Sequence, residues 1–231
     1  MRVEESLVRP KPFKDFAAKK VVYIPVDIPS GLILKHLGNK AAKMKSSEWG
    51  TLARLEDKVV LFRAMGAPLA VMTLERLVAS GAEEILVLGF CGSLDSSLKI
   101  ASAVNVARAY ADEGTSGHYF PRRKYFRPSP ALFSKVEETL LAASLSVTPA
   151  LAASTDAPFR ETPAWLESMA RRGCRVADME TSAVFALAEF HGREAASLMI
   201  VSDELSSGGW RHGFFESGLE ESVRRHFLPF L

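Results

Sequence analysis

The sequence predicts an α/β fold: a three-layer α/β/α sandwich built around a twisted mixed sheet. Three observations carry that prediction. Glu84–Leu88 is a short, continuous apolar run closed by Gly89, the pattern of a strand buried on both faces. Ala67–Ser80, just before it, has an apolar stripe at helical spacing through Leu69, Met72 and Leu77, with Pro68 suited to a first helical turn and Gly81 following the end. Strand and helix patterns then alternate to the end of the chain, which argues for a substantially parallel sheet covered by helices.

The elements read in order as follows. Residues 1–19, with Pro10 and Pro12 and little periodicity, form an irregular arm. Lys20–Pro25 is a first strand. The stretch Pro29–Trp49 has no readable period, and Lys40, Lys43 and Lys45 within it mark a solvated face. Lys58–Phe62 is a strand, followed by the helix Ala67–Ser80 and the strand Glu84–Leu88. Ala103–Ala109 is a strand, Pro130–Ser144 a helix and Val147–Ala153 a strand. Pro163–Arg172 is a helix closed by Gly173, and Arg175–Ala177 a short strand. Met179–His191 is a helix closed by Gly192, Ala195–Ser202 a buried strand and Glu216–His226 a last helix. No linker divides the chain, so the expectation is one domain over residues 1–231.

Composition bounds the function. The 231 residues fit the range of about 50–250 for one domain. An apolar share of 48% supports a full core, which excludes a disordered chain or a disulfide scaffold. The 29 basic and 27 acidic residues leave a net charge of +2, too balanced for a general polyanion-binding surface. Phe120–Phe126 interleaves bases with aromatics, but it is one short segment, read as a surface loop or subunit contact; no nucleic-acid partner is expected. Cys91 and Cys174 make no C-x-x-C pair, and the histidines are scattered, so no metal site is expected. Cys91 is read as a small buried residue. With no secretory or membrane-spanning pattern, a reduced, cytoplasmic setting is the expectation.

In open α/β sheets, ligands bind beyond the carboxyl ends of the strands. Four such ends are rich in chemistry: Gly89 to Ser93, Ser154 to Arg160, Asp178 to Thr181, and Ser202 to Glu204. A fifth cluster, Asp112 to Tyr119, follows the strand near residue 109. Each has a bland reading alone: a turn, a helix-start carboxylate, a cap or a core aromatic. They gain weight together, because parallel strand ends converge on one crevice.

The run ADMETSAVFALAEFHGREAASLMIVSDEL (177–205) resembles the signature region of the nucleoside phosphorylase superfamily, in the branch with purine and uridine phosphorylases and methylthioadenosine nucleosidases. GAPLAVMTLERLVASGAEEILVLGFCGSL (66–94), DEGTSGHYF (112–120) and STDAPFRET (154–162) resemble further blocks of that family. The resemblance runs through residues 58–205 and is poor over the first 50.

The resemblance implies cleavage of the N-glycosidic bond of a nucleoside in salvage or catabolism, by a pentosyltransferase that yields free base and ribose 1-phosphate. It places Glu180 on the ribose hydroxyls, with Met179 and Met65 packed near the sugar. Asp203 matches the family's general acid for a purine, Phe159 the aromatic that stacks on the base, and Thr155 and Arg160 lie beside it, where they could read base edges. Phe90 and Gly92 belong to the glycine block of the site. No cofactor is implied beyond inorganic phosphate as co-substrate, and a homo-oligomer, dimer or hexamer, is the expected assembly. Asp203 favours a purine; uridine stays open. His118 and Tyr119 are as well suited to a structural or intersubunit role as to substrate contact.

Three positions depart from the phosphate-binding pattern of the phosphorylases. The loop after the first strand, Ile24 to Gly31, has no arginine and carries Asp27; Val87 stands where a phosphate arginine is expected, and Phe90 where a small hydroxyl residue is expected. Phosphate sites rest on arginine forks and backbone donors. The alternatives are phosphate bound through Ser93, Arg63 or a neighbouring subunit, water as the nucleophile, or a nucleoside-binding protein without catalysis.

Overall fold

The computed structural model describes residues 6–205 and 209–231. Its elements are β1 (Lys20–Ile24), α1 (Leu32–Lys40), β2 (Lys43–Ser47), β3 (Gly50–Arg54), β4 (Lys58–Phe62), α2 (Ala67–Ala79), β5 (Glu84–Ser93), β6 (Ala103–Ala111), α3 (Ser116–Tyr119), β7 (Tyr125–Phe126), α4 (Pro130–Ala142), β8 (Thr148–Ser154), α5 (Pro163–Arg171), β9 (Cys174–Asp178), α6 (Thr181–Phe190), β10 (Glu194–Glu204), β11 (Arg211–His212) and α7 (Ser217–His226).

All the strands belong to one mixed sheet. β1 runs parallel to both β4 and β5, and β5 runs parallel to β10 from Glu84↔Glu194 to Ser93↔Glu204. β10 also pairs antiparallel with β6, β6 parallel with β8, β8 parallel with β9, and β9 antiparallel with the end of β5. The sheet therefore closes on itself through β5, β10, β6, β8 and β9. This closure brings the ends of strands far apart in sequence around one opening.

Side chains alternate across the sheet with the period of two that a strand imposes. On β1, Val21 and Tyr23 face the core shared with α2 and α6, while Val22 and Ile24 face the core shared with α1, α4 and α7. β5 divides in the same way: Ile85, Val87 and Cys91 on the first face, Leu86, Leu88 and Phe90 on the second. Helices on both faces are the layered arrangement the sequence predicts. The strand Glu84–Leu88 extends on to Ser93, and the strand Ala195–Ser202 on to Glu204, so the residues read as strand-end loops are themselves paired backbone.

The stretch 29–49 resolves into α1 and most of a hairpin. Asp27 serves α1 directly: its carboxylate accepts the amides of Ile33 (3.2 Å) and Leu34 (3.1 Å), donors that a helix start leaves without partners. β2 is exposed along its length at the outer edge of the sheet, and Lys43 and Lys45 on it discourage edge-to-edge pairing. Within the N-terminal arm, residues 1–5 lie outside the described residues, and the rest is irregular apart from a single turn of 3₁₀ helix at Lys14–Phe16. It is tied down all the same: Phe16 is buried, the Phe13 amide donates to Ser80 Oγ (2.7 Å), and the Arg76 guanidinium sits 3.7 Å from the Phe13 ring centre.

Below the opening, buried Tyr23 donates through Oη to the carbonyl of Ala64 at 2.5 Å. This bond supports the turn after β4, where Arg63 (φ 63°) and Gly66 (φ 88°) both take left-handed backbone. Tyr23→Phe is expected to lower stability by about 1–3 kcal/mol, because the Ala64 carbonyl is left unsatisfied. Urea unfolding with an unchanged m-value would show it.

Candidate active site

A cavity of about 570 Å³ opens where the strand ends converge. That volume lies within the range of small-molecule sites. Its walls come from the ends of β1, β5, β9 and β10, the turn at Met65, the residues Pro158, Phe159 and Glu161, and residues around β11. Of the residues singled out from the sequence, Met65, Phe90, Gly92, Phe159, Met179, Glu180 and Asp203 line it. Phe159 is 95% exposed, a free ring at the mouth, and Met65 is 55% exposed.

The floor is a buried carboxylate network. Asp178 ends β9; its Oδ1 accepts from Ser154 Oγ (2.5 Å) at the end of β8, and its Oδ2 from the amides of Glu180 (3.1 Å) and Thr181 (2.7 Å) at the start of α6. Ser154 Oγ in turn accepts the Ser182 amide (3.0 Å). A second buried carboxylate, Glu113, accepts from Ser182 Oγ (2.8 Å), the amides of Thr115 and Ser116, and Ser116 Oγ. Because these donors are satisfied from below, Glu180 is not needed as a cap. It keeps a non-helical backbone (φ −137°) and receives the Gly66 amide on Oε1 at 2.6 Å. Burial, then the neighbouring Asp178, push the Glu180 carboxyl up to about 8 against the Gly66 donor. Burial also raises Asp178, opposed by its donors.

Asp203 sits on β10 across from Gly92 on β5. Its Oδ1 accepts from Ser202 Oγ (2.7 Å) and its Oδ2 from the indole N–H of Trp210 (3.0 Å). A Cβ at Gly92 would lie 3.0 Å from Asp203 Oδ2 and 3.2 Å from Leu205 Cδ1, so glycine is what lets this carboxylate lie against the strand. Phe90 takes its neighbouring place by packing on Phe214 (5.4 Å) and Phe227 (5.7 Å). An aromatic wall thus stands where a small hydroxyl residue was expected, and Val87 is buried in the α2–α6 core.

Several expected contributors lie elsewhere. Thr155 is buried behind the cavity wall; its amide donates to Asp178 O and its Oγ1 accepts from the Ala157 amide. Arg160 is exposed and outside the lining. Ser93 is closed into a turn with Asp95, and Arg63 is exposed beside the Phe62 ring. Cys91 lines the cavity, but burial pushes its thiol well above the usual range, which leaves little thiolate to act as nucleophile. His118 and Tyr119 border a separate cavity, with Tyr119 Oη donating to Glu75 (2.7 Å). In the 120–126 segment, Arg123 pairs with Glu189 and Phe126 is buried, while Arg122 and Lys124 are exposed.

The lining residues not singled out from the sequence include Glu161, two positions past Phe159 in the block 154–162, and, near β11, Trp210 and Phe214. The charged residues among the described lining are Glu161, Asp178, Glu180 and Asp203; no Lys, Arg or His joins them. Among the described residues, no cluster of three or more His, Cys, Asp or Glu is placed to hold a metal ion, and no helix is long and apolar enough to cross a membrane.

A family model described as the phosphorylase superfamily matches residues 49–227. Among curated proteins, the chain is 25% identical to the guanosine phosphorylase of Halorubrum lacusprofundi, over 73% of this chain and 70% of that one. It is 26% identical to a DeoD-type purine nucleoside phosphorylase of a Geobacillus species, over 62% of each. An uncharacterized protein of Acanthamoeba polyphaga mimivirus is 28% identical over 65% of this chain and 58% of its own length. The matched segments thus span 58–70% of these relatives. The fold matches the crystal structure of purine nucleoside phosphorylase from Toxoplasma gondii in complex with immucillin-H, at a TM-score of 0.79 and 17% identity, over 98% of this chain and 94% of that one.

Two predictions follow from this geometry. Glu180 holds its proton more tightly folded than unfolded, so the folded state binds more protons between about pH 4.5 and 8. Its contribution to stability is therefore largest below that window and falls as pH rises through it, by at most about 1.4 kcal/mol per pH unit. Glu180→Gln is expected to flatten this slope in denaturation curves taken from pH 5 to 8.5. Gly92→Ala is expected to leave the fold intact but shift the Asp203 carboxyl, quenching or shifting Trp210 fluorescence and weakening ligand binding about tenfold.

Proposed function

The chain belongs to the phosphorylase superfamily, and from that premise we propose that it cleaves the N-glycosidic bond of a nucleoside in the cavity at the strand ends. The observation that carries this reading is the placement of Glu180, Asp203 and Phe159 on one cavity of nucleoside-binding size. Phe159 offers a face for the base. Glu180, held by the Gly66 amide, offers a carboxylate to the ribose hydroxyls; their donors favour its ionised form, which then stabilises positive charge on the sugar. As the C1′–N bond breaks, its electron pair passes to the base, a carboxyl at position 203 supplies a proton to a base nitrogen, and an oxygen nucleophile bonds to C1′.

Phosphorolysis, with phosphate as the nucleophile and pentose 1-phosphate as product, is the reaction expected from the resemblance. One observation favours a second reading, hydrolysis: the described lining carries four carboxylates and no cation. A phosphate dianion placed there would meet like charge without a guanidinium or ammonium partner. Water carries no charge and loses its proton to solvent or to a carboxylate as the sugar–oxygen bond forms. Phosphate would require a cation from another subunit, which makes the expected homo-oligomer part of this question.

The test is base release from inosine, adenosine, guanosine, uridine, thymidine and methylthioadenosine, with and without phosphate. Free sugar formed at an unchanged rate without phosphate supports hydrolysis; strict phosphate dependence with ribose 1-phosphate as product supports phosphorolysis. Glu180→Ala is expected to lower kcat/KM at least about a hundredfold, a loss typical of one electrostatic contact to the transition state. Full turnover by that variant would remove Glu180 from the sugar site. Asp203→Asn is expected to damage purine cleavage more than pyrimidine cleavage.

A further inference from the structure

We propose that Glu161 is a second base-facing carboxyl, and that together with Asp203 it selects 6-aminopurine nucleosides over 6-oxopurine nucleosides. The inference rests on the nucleoside-cleaving reading and adds the identity of the base and the residue that chooses it.

Glu161 follows the short 3₁₀ turn Pro158–Arg160 and lines the cavity with Phe159 and Asp203. The other acidic side chains of the cavity are engaged: Asp178 by Ser154 and two amides, Glu180 by the Gly66 amide, and Asp203 by Ser202 and Trp210. Glu161 is half-buried, and its side chain has no hydrogen-bond or ion-pair partner among the described residues. A half-buried carboxyl without a partner is costly unless it is protonated or meets a ligand. Burial, and then the charge of Asp203, push Glu161 up to about 7. The remaining charges of the cavity, Asp178 and Glu180 at the start of α6, are also carboxylates, and Arg160 on the same turn is exposed outside it. No described cation of the lining offsets them.

Thr155 and Arg160, the other candidates for reading base edges, are not among the lining residues, whereas Glu161 and Asp203 line the same cavity as Phe159. One proton on these two groups offers one donor, with acceptors on the other carboxylate. Adenine presents that complement along one edge: N7 accepts and the 6-amino group donates. Asp203, as in the cleavage step, donates its proton to N7, and the ionised Glu161 accepts from the amino group. A 6-oxopurine presents two acceptors, N7 and O6, so its oxygen would face a carboxylate with no proton between them. A site with unpaired buried polar groups rejects the mismatched ligand more strongly than a missing apolar contact would.

The test compares adenosine with inosine as substrates, and adenine with hypoxanthine as calorimetric ligands, for the wild-type protein, Glu161→Gln and Glu161→Ala. The wild-type protein is expected to favour the 6-amino compound at least about tenfold above about pH 7, where Glu161 has lost the proton it could otherwise donate to O6, and to discriminate less below it. A glutamine amide donates to O6 as readily as it accepts, so Glu161→Gln should reduce the preference about tenfold and remove that pH limb. Wild-type preference for the 6-oxo compounds, an unchanged ratio in both variants, or binding of neither base would overturn the proposal. If no nucleoside is cleaved but adenine is bound selectively in a Glu161-dependent way, the catalytic reading fails and this inference stands.

Discussion

Asp178 is the carboxylate on which the site depends. It is buried where β8, β9 and α6 meet, and it satisfies a serine hydroxyl and two amides at the start of that helix. A helix start left without acceptors below the surface would be costly, and an ion buried without donors more so. Each solves the other's problem here, and the helix dipole adds to the match. The consequence is functional. With the capping work done by Asp178, the Glu180 side chain is free to leave the helix axis and meet the Gly66 amide at the cavity wall. The turn carrying that amide is held in turn by Tyr23.

The ring of strands sets the position of everything else around this point. β5 and β10 run parallel over most of their length, so Gly92 and Asp203 arrive side by side, and β9 crosses to the end of β5 to bring Asp178 and Glu180 within reach. The resulting cavity concentrates negative charge. Such a field disfavours anions and favours a developing cation, the sign required on a sugar losing its base. Burial first, and this charge second, raise the proton affinity of Glu161 and Glu180. Buried carboxyls gathered this closely hold protons that isolated ones would release, so the charge of the cavity and its proton content are set together.

Much of this was legible in the sequence. The apolar runs of β1, β4, β5 and β10 read directly, because a strand covered on both faces has no reason to alternate. The carboxylates at 180 and 203 and the ring at 159 stand at strand ends, where the fold places ligands. What stayed hidden depended on pairing. α1 lacks a clear stripe, since Lys35, His36 and Asn39 interrupt it, and β2 is exposed throughout, leaving no hydrophobic period to detect. Closure of the sheet rests on β9, a five-residue strand whose register no local pattern specifies. Thr155 and Arg160 flank the right segment but point away, whereas Glu161, in the same block, lines the cavity.

Trp210 shows how the site constrains its own chemistry. An indole N–H donates and never accepts. While it donates to Oδ2 of Asp203, it occupies one lone pair of that oxygen and leaves the other open to a proton or a ligand. Ser202 places no such restriction on Oδ1, because a hydroxyl rotates to give or to take. In the arrangement seen here, Asp203 therefore faces its neighbours as an acceptor on both oxygens. A proton carried by Oδ2 toward a base must sit on the lone pair that the indole leaves open. A ligand that meets Asp203 through that oxygen shares it with Trp210, so occupancy of the cavity and the position of the indole are linked at a single carboxyl oxygen.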